Sequence, residues 1–484
     1  MFKLDDDLAI LARDTCVQRG ASYAEGRLHS VRAIKCILRD GKPEPSIYES
    51  SLGIGIRALV DGCLAFSSVN LLTKEGVRDA SERAVKIARV SSNLLKKKIE
   101  VSEQKAHNVK WEVEEKKKVE DVSVEDMVSF LKEVDNLILE DKNEPKFANR
   151  VLNLSVSIEE KVYANSDGSF IKSKVSRVGF SSMLSGVYEG KPFTVSAPPG
   201  YAEISGSGGW ELIDELKILD YIKRKIPELK IALRAEEKIG ESEKFDVIIG
   251  PSVAGLASHE ASGHPQEADR ILGREAAQAG ESYLKKDDLG IRIGSDEACV
   301  SDDPTITGSF GFYLYDDEGV KARKKRLIDK GIVSEFLQNR ETSYLLNAED
   351  NASARACAYN REPIIRMSNT FIEAGNWSLD EMVKDTKSGL LIESYMEWNI
   401  DDRRLNQRYV GLEAFRIENG EIKNPVKQPV LEITTHKLWS SMDARSKELR
   451  FFGGTCGKGD PMQGIPVWMG APYVRLRGVR IWSR

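Results

Sequence analysis

His259, Glu260 and His264 stand in the run ASHEASGHPQEAD at residues 257–269. Imidazoles are frequent ligands of zinc, and a carboxylate beside them can take a proton from a water that the metal activates, which is the chemistry of peptide-bond hydrolysis. The chain has only five histidines, at 29, 107, 259, 264 and 436, so two of them five positions apart with a glutamate beside the first is an uncommon coincidence. In the common zinc-protease pattern the two histidines are four apart, about 40° around a helix, and both reach one ion. Here the interval is five, about 140° on a straight helix, which points the rings apart.

Two local devices repair this. A π-turn inserts one residue, or the helix breaks at Gly263 so that His264 folds back. Gly263 tolerates unusual φ, and Pro265 biases His264 away from the α region and cannot donate to the preceding turn. A second helix, QEADRILGREAAQAG, is expected to start at Pro265 and leave His264 at the bend.

Two imidazoles do not complete a catalytic zinc site, which takes three protein ligands and an open position. The third comes from Glu267, Asp269, His436 or a cysteine. Cys456 in FFGGTCGKGD is the most suggestive: Gly453, Gly454, Gly457 and Gly459 around it read as a loop whose backbone can approach a ligand. Asn369 in RMSNT is a candidate for polarising a carbonyl, or an ordinary turn residue.

The elements that must position these residues are legible in outline. At 484 residues the chain exceeds one usual core, so two domains are expected, 1–237 and 238–484. The N-terminal domain reads as mixed α/β. DDDLAILARDTCVQRG and TKEGVRDASERAVKIARVSS carry helical spacing, and between them SLGIGIRALVDGCLAFSSV reads as a hairpin turning at Asp61-Gly62. Residues 95–121 carry charge of both signs with no face and read as an exposed crossing, His107 being a solvated side chain on it. SGSGGWE at 205–211 lacks the Lys-Ser/Thr of a phosphate loop and reads as a turn into a long helix, 211–236. KFDVIIG opens a buried strand after it. KRLIDKGIVSEFL turns at Asp329-Lys330-Gly331, and 363–484 consists of short alternating runs, as in an antiparallel sandwich or barrel-like β-rich domain. The fold class is therefore α+β.

Composition excludes other classes. With 71 basic and 76 acidic side chains the net charge is -5, which offers no general attraction to nucleic acid or anionic membranes. The cluster Arg475, Arg477, Arg480 and Arg484 alternates with Val474 and Leu476 and reads as a strand with one buried and one solvated face. No apolar run approaches a spanning helix and no secretory signal is evident, so a cytoplasmic protein is expected. Six cysteines without CxxC spacing read as reduced, mostly buried thiols.

The segments HEASGHPQEAD, YDDEG (315–319), RMSNTFIEAG (366–375), GIGIRALVDGCLAFSS and the ending GGTCGKGDPMQGIPVWMGAPYVRLRGV resemble the TldD branch of the TldD/PmbA family, also called modulators of DNA gyrase, over nearly the whole chain. The resemblance implies one zinc per chain held by His259, His264 and Cys456, with Glu260 as general base in cleavage of unfolded or extended peptides, including leader removal and antitoxin degradation. It implies a site enclosed in a dimer with a PmbA/TldE-like subunit that lacks the motif, a second copy of this chain being the other partner left open by the sequence. The charge balance and the lack of a spanning run give no direct nucleic-acid or membrane partner. One stretch departs from the family: MEWNIDDRRLNQRY at 396–409 is richer in charge and aromatics than the glycine-rich counterpart. The alternative function is a non-catalytic peptide-binding or regulatory subunit with a structural zinc, its fourth ligand drawn from Glu267, Asp269 or His436.

Overall fold

The computed structural model describes residues 4–200, 202–240, 243–275 and 280–483. The first half is built on a nine-stranded sheet whose main path runs Cys63–Val69, Ile47–Val60, Tyr23–Arg39, Asn149–Asn165, Phe170–Tyr188 and Asn108–Glu112. All neighbours on this path are antiparallel except the last, which pairs in parallel. The tight hairpin at Asp61-Gly62 forms with both residues at positive φ, 50° and 79°. The crossing segment 95–121, expected to be irregular, contributes the strand Asn108–Glu112, too short to show a period. His107 at its start is half-buried, edge-on to Tyr315 with centroids 5.0 Å apart.

The two long central strands alternate with period two, and each face has its own partner. On one face Leu28, Cys36, Leu38, Leu152, Leu154, Val156 and Val162 are buried under the helices Asp7–Gln18, Lys74–Ser92, Val124–Glu140 and Ile218–Leu233. On the other, polar and charged side chains, joined by Arg57 of the adjacent strand Ile47–Val60, dock the second half. Arg27 donates to the Ala358 and Arg361 carbonyls, Arg57 pairs with Glu318 at 2.7 Å, Lys161 with Asp317 at 2.8 Å, and Tyr163 donates to the Glu318 carbonyl at 2.8 Å. The YDDEG run is thus a docking loop between the halves. The long helix expected over 211–236 is two, Leu212–Glu215 and Ile218–Leu233, separated where Lys217 takes φ 50°.

Among the described residues the second half has two large sheets that stay open and a two-stranded one, Ala354–Arg355 with Ile364–Ile365. A nine-stranded one holds Glu243–Ile249 between Val474–Ser483, antiparallel, and Ser388–Ile392, parallel. A six-stranded one runs Ile332–Val333, Lys325–Asp329, Val300–Asp302, Asn369–Ile372, Gln463–Ala471, Arg450–Lys458, with Asn369–Ile372 and Gln463–Ala471 parallel. The second half is thus β-rich as expected, its two large sheets mixing mostly antiparallel with a few parallel pairs and neither closing into a barrel. One core joins both sheets through Val247, Leu256, Val300, Ile372, Val467 and Leu476. The helix Pro251–Ser258 leaves the first sheet and lies on the second so closely that a β-carbon at Gly255 would sit 3.2 Å from the Gly470 backbone nitrogen.

Of the C-terminal arginines Arg480 is exposed and Arg477 half-buried, but Arg475 does not face solvent. Arg475 is buried and paired with Asp443 at 2.9 Å and Asp385 at 2.8 Å; Arg477 pairs with Asp246, Asp385 and Asp443. Five ion pairs to three carboxylates on these two guanidiniums leave little charge for a phosphate backbone, while Arg484 lies outside the described residues. Among the described residues no helix is long and apolar enough to cross a membrane. All six cysteines are free, and all but Cys357 are buried.

Candidate metal centre

The Pro251–Ser258 helix ends in one π-helical turn, His259–Gly263, followed at once by a 3₁₀ turn, His264–Gln266. The wider turn absorbs the fifth residue of the interval. It brings the two rings to a centroid separation of 4.8 Å at 84°. Of the two expected devices the π-turn forms and the break at Gly263 does not. Gly263 has ordinary helical φ, -53°, and His264 is helical too, at φ -61° and ψ -44°. What requires glycine is space: a β-carbon at 263 would lie 1.9 Å from the Met367 sulfur. The second helix is shorter than expected, Ala268–Ile271, and residues 276–279 of its predicted span lie outside the described ones.

Cys456 does not stand on a loop. The glycine-rich run is the strand Arg450–Lys458 at the edge of the six-stranded sheet, alternating exposed Thr455 and Gly457 with buried Cys456 and Lys458. That strand carries Cys456 Sγ to 3.5 Å from His264 Nε2. One ligand atom from each of His259, His264 and Cys456 lies within 4.8 Å of the others, and all three residues are buried.

The donor set fits zinc. Tetrahedral coordination with ordinary zinc–sulfur and zinc–nitrogen lengths puts the two donors about 3.5 Å apart. Burial would push the Cys456 thiol up, but the His264 ring and Arg366 guanidinium beside it outweigh this and bring it down to about 7, within reach of the thiolate that binds metal. Burial holds both imidazoles neutral, lowering His259 and taking His264 to about 4. Among the described residues His259 Nδ1 is buried without a hydrogen-bond partner.

A charged network orients His264. His264 Nδ1 lies 3.0 Å from Glu267 Oε2, which leaves Nε2 facing Cys456. Burial alone would raise Glu267, yet Lys458, Arg270 and His264 hold it well below the usual carboxylate range. Arg270 Nε donates to it at 2.5 Å, and Lys458 Nζ lies 3.3 Å away. Lys458 also donates to both Asp269 oxygens at 2.8 Å. Burial raises Asp269 against the pull of Lys458.

Glu267 and Asp269 thus lie beside the His-His-Cys group, each held by a buried cation. His436 stacks edge-on with Tyr283 at 5.3 Å and is outside the cluster. Asn369 is spent on structure, donating to the Asp303 carbonyl and Ser309 Oγ and accepting from Gly311 N–H.

Glu260 is buried beside the cluster, and its carboxylate accepts from the Arg404 guanidinium. Arg404 belongs to the charged stretch 396–409, where no local spacing marks it as a site residue. Lys458 was missed as well, although CGK on a strand puts positions two apart on one face.

Residues 242–483 match the family described as PmbA/TldA metallopeptidase C-terminal domain, 117–242 its central domain and 24–88 its domain 1. The chain is 30% identical over 459 residues to a metalloprotease of Methanocaldococcus jannaschii, covering 94% of this chain and 95% of that one. A zinc metalloprotease TldD homologue of Saccharolobus solfataricus is 31% identical over 260 residues, 54% of this chain and 55% of the relative. Among solved structures, a Thermotoga maritima protein described as a candidate modulator of a DNA gyrase superposes with a TM-score of 0.76 at 15% identity, covering 98% of this chain and 99% of that one. TldE from Thermococcus kodakarensis superposes with 0.71 at 19% identity, again over 98% and 99%.

Proposed function

The chain belongs to the PmbA/TldD metallopeptidase family, and we propose that it is itself a zinc peptidase acting on extended peptides, with His259, His264 and Cys456 as ligands and Glu260 as general base. The observation that carries this is the buried His-His-Cys group with a carboxylate one residue from the first ligand. When bound, zinc supplies a water of lowered pKa and polarises the carbonyl under attack. Glu260 takes a proton from the attacking water and returns it to the leaving amine.

A structural zinc would call for a fourth protein ligand. Among the described residues the three alternatives face elsewhere: Glu267 toward Arg270 and Lys458, Asp269 toward Lys458, His436 toward Tyr283. This favours the catalytic reading over a binding subunit.

Extended substrates suit the strand Arg450–Lys458, which lies at a sheet edge with Cys456 on it. A peptide added there would gain main-chain hydrogen bonds with little sequence preference. The bridge between Glu203 and Gly453 already occupies that edge at one point and would set where the peptide starts. The likeness to TldE supports a working unit of two chains, this one with a TldE-like subunit or with a second copy.

Glu260→Gln tests the function. It should bind zinc as the wild type does and lose peptide cleavage; undiminished cleavage would remove Glu260 as the base.

A further inference from the structure

The side chain on Glu260 poses a chemical problem for the reading above. A general base must present its carboxylate to the attacking water, yet here a guanidinium occupies it. Arg404 is nevertheless buried against it, with 10% of its side chain accessible. The guanidinium has five N–H donors. Among the described residues its Nε is buried with no acceptor, a costly arrangement unless an acceptor arrives.

The backbone beneath this side chain is held firmly in a conformation that non-glycine residues avoid, φ 62°. Asp401 accepts from the Leu405 and Asn406 N–H groups at 2.7 and 3.1 Å, closing the turn. Thr435 Oγ1 donates to the Arg404 carbonyl at 2.7 Å and is itself held by Gln407 at 2.6 Å, whose Oε1 accepts from the Tyr409 hydroxyl at 2.5 Å. Strain of this kind is kept where the surroundings over-determine it, often at functional sites. The turn aims one guanidinium at one carboxylate.

Resting on the hydrolytic reading, we infer that Arg404 is a further catalytic residue: it is latched on Glu260 at rest and passes to the reacting carbonyl oxygen when a peptide enters. The base must reach the attacking water, and the water must reach the carbonyl carbon, so a guanidinium in contact with the base is within a side-chain swing of the carbonyl oxygen. In the step, the water oxygen bonds to the carbonyl carbon, one of its protons goes to Glu260, and the carbonyl π pair moves onto oxygen. That oxyanion accepts from Arg404. On collapse the C–N bond breaks and Glu260 gives its proton to the amine nitrogen. Substrate entry thus at once frees the base and gives the stranded guanidinium an acceptor.

The test compares wild type, Arg404→Met, Arg404→Lys and Glu260→Gln, all zinc-loaded full-length chains with metal content measured. The substrates are an extended peptide in free-carboxylate and C-terminally amidated forms, and a phosphinic peptide serves as a tetrahedral mimic. The expected result for Arg404→Met is unchanged zinc, kcat lower by about 10²–10³-fold on both substrates with little change in KM, and a parallel loss of phosphinic-peptide affinity by calorimetry. Lys should restore part of each. A loss confined to KM for the free-carboxylate peptide would make Arg404 a C-terminal clamp and overturn the inference, as would unchanged kcat. If Arg404→Met fails to fold, the Lys variant carries the same comparison. An inactive Glu260→Gln beside a fully active Arg404→Met removes the latch alone, whereas an active Glu260→Gln removes the hydrolytic reading and the latch with it.

Discussion

Cys456 Sγ lies 3.5 Å from His264 Nε2, although 192 positions separate the two residues in the chain. The contact depends on two elements meeting end to side: a helix whose last turn is widened, and an edge strand whose alternation buries Cys456 toward that turn. Loss of either geometry separates the ligands.

Glu267 is expected to act through His264. With Oε2 at 3.0 Å from Nδ1, it fixes which nitrogen faces the metal. Glu267→Gln keeps the shape but removes the charge that Lys458 and Arg270 share, and zinc affinity should fall about 10- to 100-fold. Competition against a zinc-binding dye measures this; affinity equal to wild type would leave Glu267 without an orienting role.

Gly263→Ala forces a methyl into the Met367 sulfur. Overpacking of this kind costs about 1–3 kcal/mol. The variant should melt lower and bind zinc more weakly, and Met367→Ala in the same chain should recover part of both. Recovery of neither would mean that the π-turn is not limited by this contact.

In the metal-free chain, burial lowers His264 from 6.5 to about 4. Between those values the unfolded chain binds the proton and the folded chain does not, so stability rises with pH there. It is fully present above about 6.5 and is lost as pH falls toward 4. Denaturant melts of the apo protein across that window should show the fall, and His264→Gln should flatten it.

Asp350 behaves in the opposite sense. Burial, with Glu318 nearby, raises it from 3.8 to about 7, and its Oδ2 has no partner among the described residues. The folded chain holds a proton there that the unfolded chain releases, so stability falls as pH rises from about 4 to 7. Asp350→Asn should therefore melt higher than wild type at pH 8 and about equally at pH 4; equal melting at both would show that the group titrates normally.

Much of this was legible in the sequence. The Asp61-Gly62 hairpin, the amphipathic helices and the period-two strands followed from turn chemistry and spacing. The five-residue histidine interval predicted a local irregularity, and the structure has one. What failed had specific causes. Glycines around Cys456 were read as a loop, whereas in an edge strand they leave the backbone accessible while Cys456 and Lys458 alternate inward. Gly263 was credited with backbone freedom when the requirement is room beside Met367, a contact 104 positions away that no local pattern reveals. Arg475 was placed on a solvated face because its carboxylate partners, Asp385 and Asp443, come from distant segments. Arg404 was invisible as a site residue for the same reason: only the folded hairpin brings it to Glu260.

The central claim is that three side chains from two distant segments form one metal centre. Elemental analysis of the purified chain, wild type beside Cys456→Ser, tests it most directly. The account predicts about one zinc per wild-type chain and little or none in the variant with its fold intact. Equal zinc in both proteins, or none in a well-folded wild type, would contradict it.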